Sequence, residues 1–505
     1  MPVSTNEKIE SVNPATGEVV GVVPVVDADE VAAVVNDARR SAQDFASLSL
    51  RARGDHLLSI RQAIVERAEE LARTIAAETG KPAPDAWLEV FSACLLLTYA
   101  AHAAPKVLRA RAISTWPVVV KKATVNYAPY GVVGVISPWN YPLTVPMQAI
   151  ASALGAGNAV VLKPSELTPL TGVLLGEVVA SAGRDLVHVV TGDGRTGEAL
   201  VRSGVDKVSF TGSPLTGRRI MAAAADTLTP VVMELGGKDP MIVCADADLD
   251  RAARAAVAGA FSNAGQTCIA VERALVVESV YEPFLERVVA ATRALRQGTE
   301  PDAHVGAITR PPQIDVIERR LKDAVARGAR VLVGGARRDD LPGSFFAPTV
   351  VADVTRDMEL MRDETFGPVL PVMKVADADE AIEVANDSDY GLSASVFTRD
   401  RAVARRIADQ LVSGGVNLND ALLGAAIPAL PFGGEKWSGF GRVHGEEGLR
   451  EFSRVKSVVE DRLPFAPSLA GLMVQARRPS PALLAKAIRV AYSRGARRRI
   501  LSLFG

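Results

Sequence analysis

The chain has 505 residues, of which 48% are hydrophobic, and its charges are almost balanced, with 57 Lys and Arg against 58 Asp and Glu. This is the composition of a globular protein with a large core, and it excludes nucleic-acid binding driven by overall positive charge. At roughly 150 residues per domain, the length predicts about three domains.

The N-terminal sequence MPVSTNEKIESVNP lacks the basic and apolar regions of a secretion signal. Cys94, Cys244 and Cys268 are widely spaced and lie outside any CxxC pattern, which argues against a disulfide framework and against a metal site. Apolar runs are interrupted by charge or glycine before the ~20 residues that a membrane-spanning helix needs. We therefore expect a cytoplasmic protein without a metal.

In chain order, residues 27–110 carry apolar positions at spacings of three and four, which predicts helices. A short β-rich segment follows at 117–128. Valine-rich runs then alternate with helical segments, as in parallel βαβ units: GVVGVIS, NAVVLKP, LVHVV, KVSF and PVVMEL. A second α/β segment, at about 239–435, contains the strands RALVVE and RVLVGG and helices at 279–296 and 313–327. Two such lobes usually leave a ligand cleft between them.

Two glycine-containing turns are candidates for phosphate binding. GDGRTG at 192–197 matches GxGxxG, but the next strand, KVSF, does not end in the expected acid, so we interpret it as a plain strand-to-helix turn near the cofactor. In FTGSPLTG at 210–217, Gly212 allows close backbone approach, and Ser213 can cap a helix whose amides favour a phosphate. A helix cap without a ligand is the alternative.

The KPSE motif at 163–166 follows the strand NAVVL, where the carboxyl edge of a parallel sheet receives ligands. Lys163 and Glu166 could there hold ribose hydroxyls. A carboxylate accepts from a 2′-hydroxyl and repels a 2′-phosphate, which favours NAD over NADP. Solvated surface charges are the alternative interpretation.

Cys268 is the candidate nucleophile, because its neighbours in NAGQTC are loop formers rather than core residues. Most free cysteines are small buried hydrophobes, so that alternative stays open. A thiol needs a base, and Glu234 at the end of the strand PVVM could act as one if burial raises its pKa. Asn140 in SPWNYP could stabilise an oxyanion, although a turn asparagine is the commoner case.

Seven motifs occur together in order: PWNYP, KPSE, FTGS, MELGGK, NAGQTC, DETFGPV and PFGGEKWSGFGR. As a set they resemble the aldehyde dehydrogenase superfamily, from SVNPATGE at 11–18 to about residue 460. GRVHGEEGL, VNLND and IPALPFGG look more like the branch with class 3 and fatty or terpenoid aldehyde dehydrogenases.

The resemblance implies an α/β fold with a Rossmann-like cofactor domain, a catalytic α/β domain and a β-arm that pairs with another subunit, hence a homodimer or homotetramer. The expected divisions are 1–110 and 130–235 for the cofactor domain, 236–435 for the catalytic domain, 111–129 and 436–460 for the arm, and 461–505 for a basic tail.

The resemblance also implies residue roles. Cys268 is the nucleophile, Glu234 is the general base, and Asn140 with the Cys268 amide forms the oxyanion hole. The cofactor is NAD, with NADP as the alternative, because cofactor use in that branch is mixed. The implied cofactor-binding residues are Trp139, Lys163, Ser165, Glu166, Gly212, Ser213, Gly217, Glu364 and Phe366. Thiolate attack, hydride transfer and hydrolysis of a thioester would turn the aldehyde into an acid.

Two departures from the family pattern bear on the substrate. Val443 follows Arg442 where many members have a glutamate that is proposed as a proton relay. After PWNYP, the segment LTVPMQAIAS has no cation to pair with a carboxylated aldehyde such as succinate semialdehyde, so we expect an uncharged aliphatic or aromatic aldehyde. A succinate-semialdehyde dehydrogenase and a catalytically silent binding protein are the alternatives. An enzyme that transfers the acyl group to coenzyme A is disfavoured by Glu234.

The tail after residue 460 is predicted to contain a basic amphipathic helix. One face carries Leu483, Leu484, Ala487, Ile488, Ala491 and Tyr492, beside Lys486, Arg489 and Arg494. The helix could lie on an anionic membrane surface, or it could pack on the protein's own oligomer.

Overall fold

The computed structural model describes residues 7–116, 118, 120–463 and 480–492. The chain divides into two compact units. The larger contains Met1–Leu108 and Pro129–Arg454, and the smaller contains Arg109–Ala128 and the chain from Val455.

The strands are β1 Lys8–Val12, β2 Val19–Pro24, β3 Arg111–Ile113, β4 Lys121–Pro129, β5 Val132–Ile136, β6 Ala159–Lys163, β7 Val187–Val189, β8 Lys207–Thr211, β9 Val231–Glu234, β10 Asp239–Val243, β11 Val271–Val277, β12 Arg330–Val333, β13 Thr349–Ala352, β14 Val369–Val375, β15 Ser393–Phe397, β16 Gly415–Leu418, β17 Gly439–Phe440 and β18 Ser453–Asp461. The helices are α1 Ala28–Ala46, α2 Leu50–Glu66, α3 Ala68–Thr79, α4 Ala83–Val107, α5 Thr144–Ala156, α6 Pro169–Ser181, α7 Gly194–Arg202, α8 Pro214–Ala225, α9 Leu249–Phe261, α10 Tyr281–Arg293, α11 Gln313–Ala326, α12 Glu359–Arg362, α13 Ala378–Asn386, α14 Arg401–Gln410, α15 Gly445–Glu451 and α16 Pro481–Tyr492. The predicted helical region and the predicted α/β alternation are both confirmed.

A six-stranded sheet forms the first α/β part of the larger unit, with strand order β17-β9-β8-β5-β6-β7. Strands β5 to β9 are parallel, as the valine-rich runs predict, because a helix connects each of them to the next and returns the chain to the same edge. The strands are buried on both faces, which explains their continuous apolar sequences.

A seven-stranded sheet forms the second α/β part, with strand order β12-β13-β14-β11-β10-β15-β16. Only β12 runs antiparallel to its neighbour among these described strands. The chain changes sheets between Glu234 and Asp239, through the glycine pair of MELGGK. The predicted boundary at 235/236 falls in this connection.

Helix α4 is long and apolar enough to span a membrane by length and composition, and it is the one such helix among the described residues. Its charge-free run, residues 90–105, is still shorter than the ~20 residues that a membrane-spanning helix needs, as expected. Its inner face packs against α2 and α5, while Trp87, Leu88 and Phe91 are exposed. The helix is therefore apolar on its exposed side as well as on its packed side. Glu89, a charge within this apolar helix, is buried.

The smaller unit contains a three-stranded sheet with order β18-β4-β3. Its strands fall within the predicted arm, of which Pro117 and Val119 lie outside the described residues. Residues 436–452 belong instead to the larger unit, because β17 pairs with β9 and places Gly439 opposite Glu234. The arm therefore begins later in the chain than the predicted residue 436.

Helix α16 confirms the predicted tail helix, and its apolar side chains Leu483, Leu484, Ile488 and Tyr492 are exposed. The rest of the tail, at 464–479 and 493–505, lies outside the described residues, and Arg494 falls there.

His444 is a buried imidazole in the larger unit, stacked on Phe432 with ring centroids 5.6 Å apart. Its Nδ1 lies 3.0 Å from the carbonyl oxygen of Leu430. Burial lowers the pKa of His444 from the ordinary 6.5 to about 4. Folding therefore requires the neutral ring, since protonation favours the unfolded chain between these two values.

We predict that the protein loses stability as the pH falls from about 6.5 toward 4, with about 2 kcal/mol lost at pH ~5 through His444 alone. His444→Asn keeps a residue type that tolerates the positive φ of 36° and removes the titration. Urea unfolding at pH ~7.5 and ~5 should show a smaller loss for the variant than for the wild type. Equal losses would contradict the prediction.

Candidate active site

Cys268 lies in a tight loop between α9 and β11. The loop enters through three consecutive residues with positive φ, Asn263, Ala264 and Gly265, at 52°, 56° and 71°. The buried side chain of Gln266 holds this strained backbone, because it donates to the carbonyl oxygens of Asn263 and Ala307, at 2.9 and 3.1 Å, and accepts from the amide of Thr309. Buried hydrogen bonds therefore fix the conformation of this loop, unlike that of a simple surface turn.

Asn140 is joined to the cysteine loop, as its predicted role requires. Its side-chain amide donates to the carbonyl oxygen of Gln266 at 2.9 Å, and Asn263 donates to the Asn140 carbonyl at 3.0 Å. One N–H of the Asn140 amide is used in this way, and a second N–H remains to donate. The adjacent Tyr141 hydroxyl lies 2.9 Å from the Thr267 hydroxyl, which makes a second link between the two loops.

Glu234 ends β9 and is 3% exposed. Both of its carboxylate oxygens are buried without a hydrogen-bond partner among the described residues. Burial raises the pKa of Glu234 well above its usual range, and the Arg442 guanidinium offsets part of that rise. A glycine at 433 keeps room for the carboxylate, because a Cβ there would lie 2.9 Å from Glu234 Oε1. Such an environment is compatible with a general base, and that role of Glu234 stays a prediction.

The Cys268 thiol is surrounded by carboxyl groups. Burial raises its pKa, and Asp239, Glu234 and Glu364 raise it further because their charges disfavour a neighbouring thiolate. The thiol is thus held neutral at ordinary pH, and it needs a proton acceptor to react.

The DETFGPV loop meets the MELGGK turn at the same place. Glu364 Oε1 accepts from the Gly237 amide at 2.9 Å, and burial raises the pKa of Glu364 to about 8. Phe366 and Trp139 contact each other edge to face, with centroids 5.4 Å apart. A Cβ on Gly237 would lie 2.4 Å from the Cys268 carbonyl oxygen, so this glycine allows the close approach of the two segments.

The remaining predicted residues lie at the carboxyl ends of β6 and β8. Lys163 Nζ is 3.3 Å from Glu166 Oε2, with the lysine buried and the glutamate exposed. The Ser165 hydroxyl accepts from the Leu167 amide at 3.3 Å, which closes a local turn. Ser213 caps α8 by accepting from the Thr216 amide at 3.3 Å, as predicted. Their ligand roles stay predictions.

Two glycines that follow β8, Gly212 and Gly217, contact Glu234 and its neighbour Leu235. The Gly212 amide donates to the Glu234 carbonyl oxygen at 3.1 Å, and Gly217 packs under Leu235. Asp193 caps α7 through its side chain, which agrees with the interpretation of GDGRTG as a strand-to-helix turn. The described residues contain no cluster of three or more His, Cys, Asp or Glu side chains that could hold a metal.

Sequence reasoning missed two buried ion pairs beside these loops, Lys81 with Glu89 and Lys238 with Glu272. A usable signal was present, because Glu89 lies within an apolar helix and Glu272 within a valine-rich strand. A charge in a buried element needs a partner.

The structure thus brings a cysteine loop and a buried glutamate together where the chain passes from one mostly parallel sheet to the other. Residues 2–458 match the aldehyde dehydrogenase family, and the chain belongs to that family. The chain is 42% identical to a 4,4'-diapolycopene aldehyde oxidase from Methylomonas sp., over 91% of this chain and 87% of that protein. It is 38% identical to a putative succinate-semialdehyde dehydrogenase [NADP(+)] 2 of Mycobacterium bovis, over 89% and 88%. The structure of an NAD-dependent aldehyde dehydrogenase from Sinorhizobium meliloti superposes with a TM-score of 0.89 at 36% identity, covering 93% and 94% of the two chains.

We predict that Glu234→Gln slows both the acylation of Cys268, which needs the thiol deprotonated, and the hydrolysis of the thioester. kcat should fall by about 10²–10⁴-fold, because a positioned base is lost. Intact-mass spectrometry during a time course with aldehyde and cofactor should then show that the acyl adduct on Cys268 forms and disappears more slowly than in the wild type. Cys268→Ala is the control, and it should show neither adduct nor reduced nicotinamide. Full turnover by Glu234→Gln would contradict the prediction.

Proposed function

We propose that this protein oxidises an uncharged, apolar aldehyde to the carboxylic acid with NAD or NADP. The observation that carries the proposal is the buried, unpartnered Glu234 carboxylate, whose charge reaches the Cys268 thiol. A buried carboxylate without a partner costs free energy, so it is expected where a reaction uses it. Its presence also argues against a catalytically silent protein of the same fold.

The residues present fit a dinucleotide. Lys163 and Glu166 would hold the adenosine ribose, and the free amides at the start of α8, next to Ser213, would hold the pyrophosphate. Trp139, Glu364 and Phe366 would hold the nicotinamide end. When bound, the nicotinamide supplies a hydride acceptor. Glu166 favours a 2′-hydroxyl and hence NAD, while relatives named for NAD and for NADP support either cofactor.

The chain's own residues would then act in order. Glu234 takes the proton of the Cys268 thiol and releases it to solvent. The resulting thiolate adds to the aldehyde carbon, and the negative oxygen that forms accepts hydrogen bonds from the Asn140 side chain and the Cys268 amide. Loss of a hydride leaves a thioester on Cys268. Glu234 takes a proton from water, the hydroxide attacks the thioester, and the acid leaves while the sulfur is released.

The apolar character of the substrate is inferred from the residues near the Asn140 loop. The carboxylate of Glu89 on α4 binds the amides of Leu143 and Thr144, at 3.1 Å each. On the outer face of the same turns of α4, Trp87, Leu88 and Phe91 are 47%, 60% and 60% exposed. Such an exposed apolar patch suits a lipophilic aldehyde. The cation that the structure places on this loop, Lys81, is already paired with Glu89, which disfavours succinate semialdehyde.

We predict that kcat/KM rises with chain length across straight-chain alkanals and is low for succinate semialdehyde. Each buried methylene should contribute up to about 0.8 kcal/mol until the apolar surface is filled. Reduced-nicotinamide absorbance is the measurement, with NAD and NADP in parallel. Phe91→Ala should lower the ratio of long-chain to short-chain kcat/KM.

Val65→Ala is the matched control for that experiment, because Val65 is also an exposed apolar residue of a helix, on α2. A strong preference for succinate semialdehyde would overturn the apolar assignment. It would leave the aldehyde dehydrogenase activity intact.

We also propose a homodimer or homotetramer, as the resemblance implies. In support, both sheets that could pair with another copy have open edges among the described strands, at β16 in one and at β18 and β3 in the other. The mass of the protein in solution tests this.

The exposed apolar face of α16, flanked by Lys486 and Arg489, supports reversible contact with an anionic membrane. We predict that full-length protein cosediments with phosphatidylserine vesicles at low salt and less at high salt, and that a chain ending at residue 463 does not. Equal retention of both proteins, or of neither, would favour packing of the tail on the oligomer.

A further inference from the structure

Two buried lysine–glutamate pairs lie beside the loops of the candidate site. Lys81 Nζ is 2.5 Å from Glu89 Oε1, and Lys238 Nζ is 2.6 Å from Glu272 Oε2. All four side chains are almost fully buried. The two pairs have the same chemistry, but they contact different halves of the site.

The first pair contacts the loop that carries Asn140. Glu89 Oε2 accepts from the amides of Leu143 and Thr144, while Lys81 donates to the Asn140 carbonyl oxygen at 2.8 Å. Lys81 also lies over the ring of Tyr141, 4.3 Å from its centroid. The backbone of this loop is therefore bound by the pair at three points, one of them at Asn140 itself.

The second pair contacts the loop that carries Glu364 and Phe366. Glu272 accepts from the amides of Thr365 and Phe366, at 2.7 and 2.8 Å, and Lys238 Nζ is 3.3 Å from the Thr365 hydroxyl. Phe366 has a positive φ of 50°, which is strained for a residue with a side chain. The two hydrogen bonds to Glu272 hold the backbone in that conformation.

Stability alone does not explain these pairs. Desolvation of two charges offsets most of their attraction, so a buried ion pair is often no more stabilising than apolar residues of the same size. What a carboxylate offers that a leucine does not is fixed acceptor positions for two adjacent backbone amides. Each glutamate uses its carboxylate in this way, and the lysine compensates its charge.

We propose that the two pairs are positioning devices with separate tasks, Lys81–Glu89 for the oxyanion-binding Asn140 and Lys238–Glu272 for the nicotinamide-binding Glu364 and Phe366. The inference rests on the proposed function of these three residues. Thiol attack then depends on the first pair and hydride transfer on the second. Neither pair touches the reacting atoms, so all four are positioning residues rather than catalytic ones.

The test compares Glu89→Gln with Glu272→Gln in the full-length protein. Each substitution removes one charge from a buried pair, so each is the matched control for the other's loss of stability. The readouts are the deuterium isotope effect on kcat/KM, with aldehyde labelled at its carbonyl carbon, and the cofactor Kd from quenching of tryptophan fluorescence. Thermal unfolding reports the stability of each variant.

We expect opposite shifts in the isotope effect. Glu89→Gln slows the attack that precedes hydride transfer, so the isotope effect should fall toward one, with kcat/KM lower by about tenfold or more and the cofactor Kd within about twofold of wild type. Glu272→Gln slows hydride transfer itself, so the isotope effect should rise, and the cofactor Kd should increase.

Glu89→Asp and Glu272→Asp replace the glutamine variants if those do not fold, because they keep the charge and withdraw the carboxylate from the loop amides by one carbon. Smaller shifts in the same two directions are expected. Isotope effects that move in the same direction, or activity losses that only follow the loss of thermal stability, would overturn the proposal. If the wild type produces no reduced nicotinamide from any aldehyde, the proposed function itself fails; if the wild type is active and the shifts do not separate, only the positioning roles fail.

Discussion

The burial of an unpaired carboxylate at the end of β9 constrains the structure around it. Glu234 sits between β8 and β17, whose hydrogen bonds fix its backbone on both sides. Glycines at 433 and 439 leave the space it occupies and allow β17 to approach. Desolvation raises the pKa of the Glu234 carboxyl. Burial at this position therefore sets the pH above which the carboxylate can accept a proton.

The ionisable groups near Cys268 form two sets, the carboxyl groups around the thiol and the buried lysine–glutamate pairs. Asp239, Glu234 and Glu364 surround Cys268 and disfavour its thiolate, while nearby buried lysines are each matched to a glutamate of their own and so add little net charge. Burial, together with these carboxyl groups, therefore keeps the thiol protonated. Reactivity then requires deprotonation within the site, which a glutamate can provide without an imidazole.

Most of the fold could be predicted from the sequence, since parallel strands buried on both faces are readable as valine-rich runs. The site was readable where a residue stands at a strand end or helix start, as Glu234 and Ser213 do. Glu89 and Glu272 gave only the signal of a charge within an apolar run, and the folded chain reveals their partners, 8 and 34 residues away in sequence. The late start of the arm was missed for a similar reason: β17 has 2 residues, too few to give a period.

The pairing of β17 with β9 has a consequence for synthesis of the protein. The Ser438 hydroxyl donates to the Gly236 carbonyl oxygen across 202 residues, and the Leu235 amide donates to the Ser438 carbonyl. A nascent chain emerges from its N-terminus, so the first five parallel strands can pair long before this contact exists. The chamber around Glu234 is closed only when residues near 440 have left the ribosome. Until then the edge of β9 stays open, and chains interrupted before that point would lack the strand that covers the backbone of Glu234.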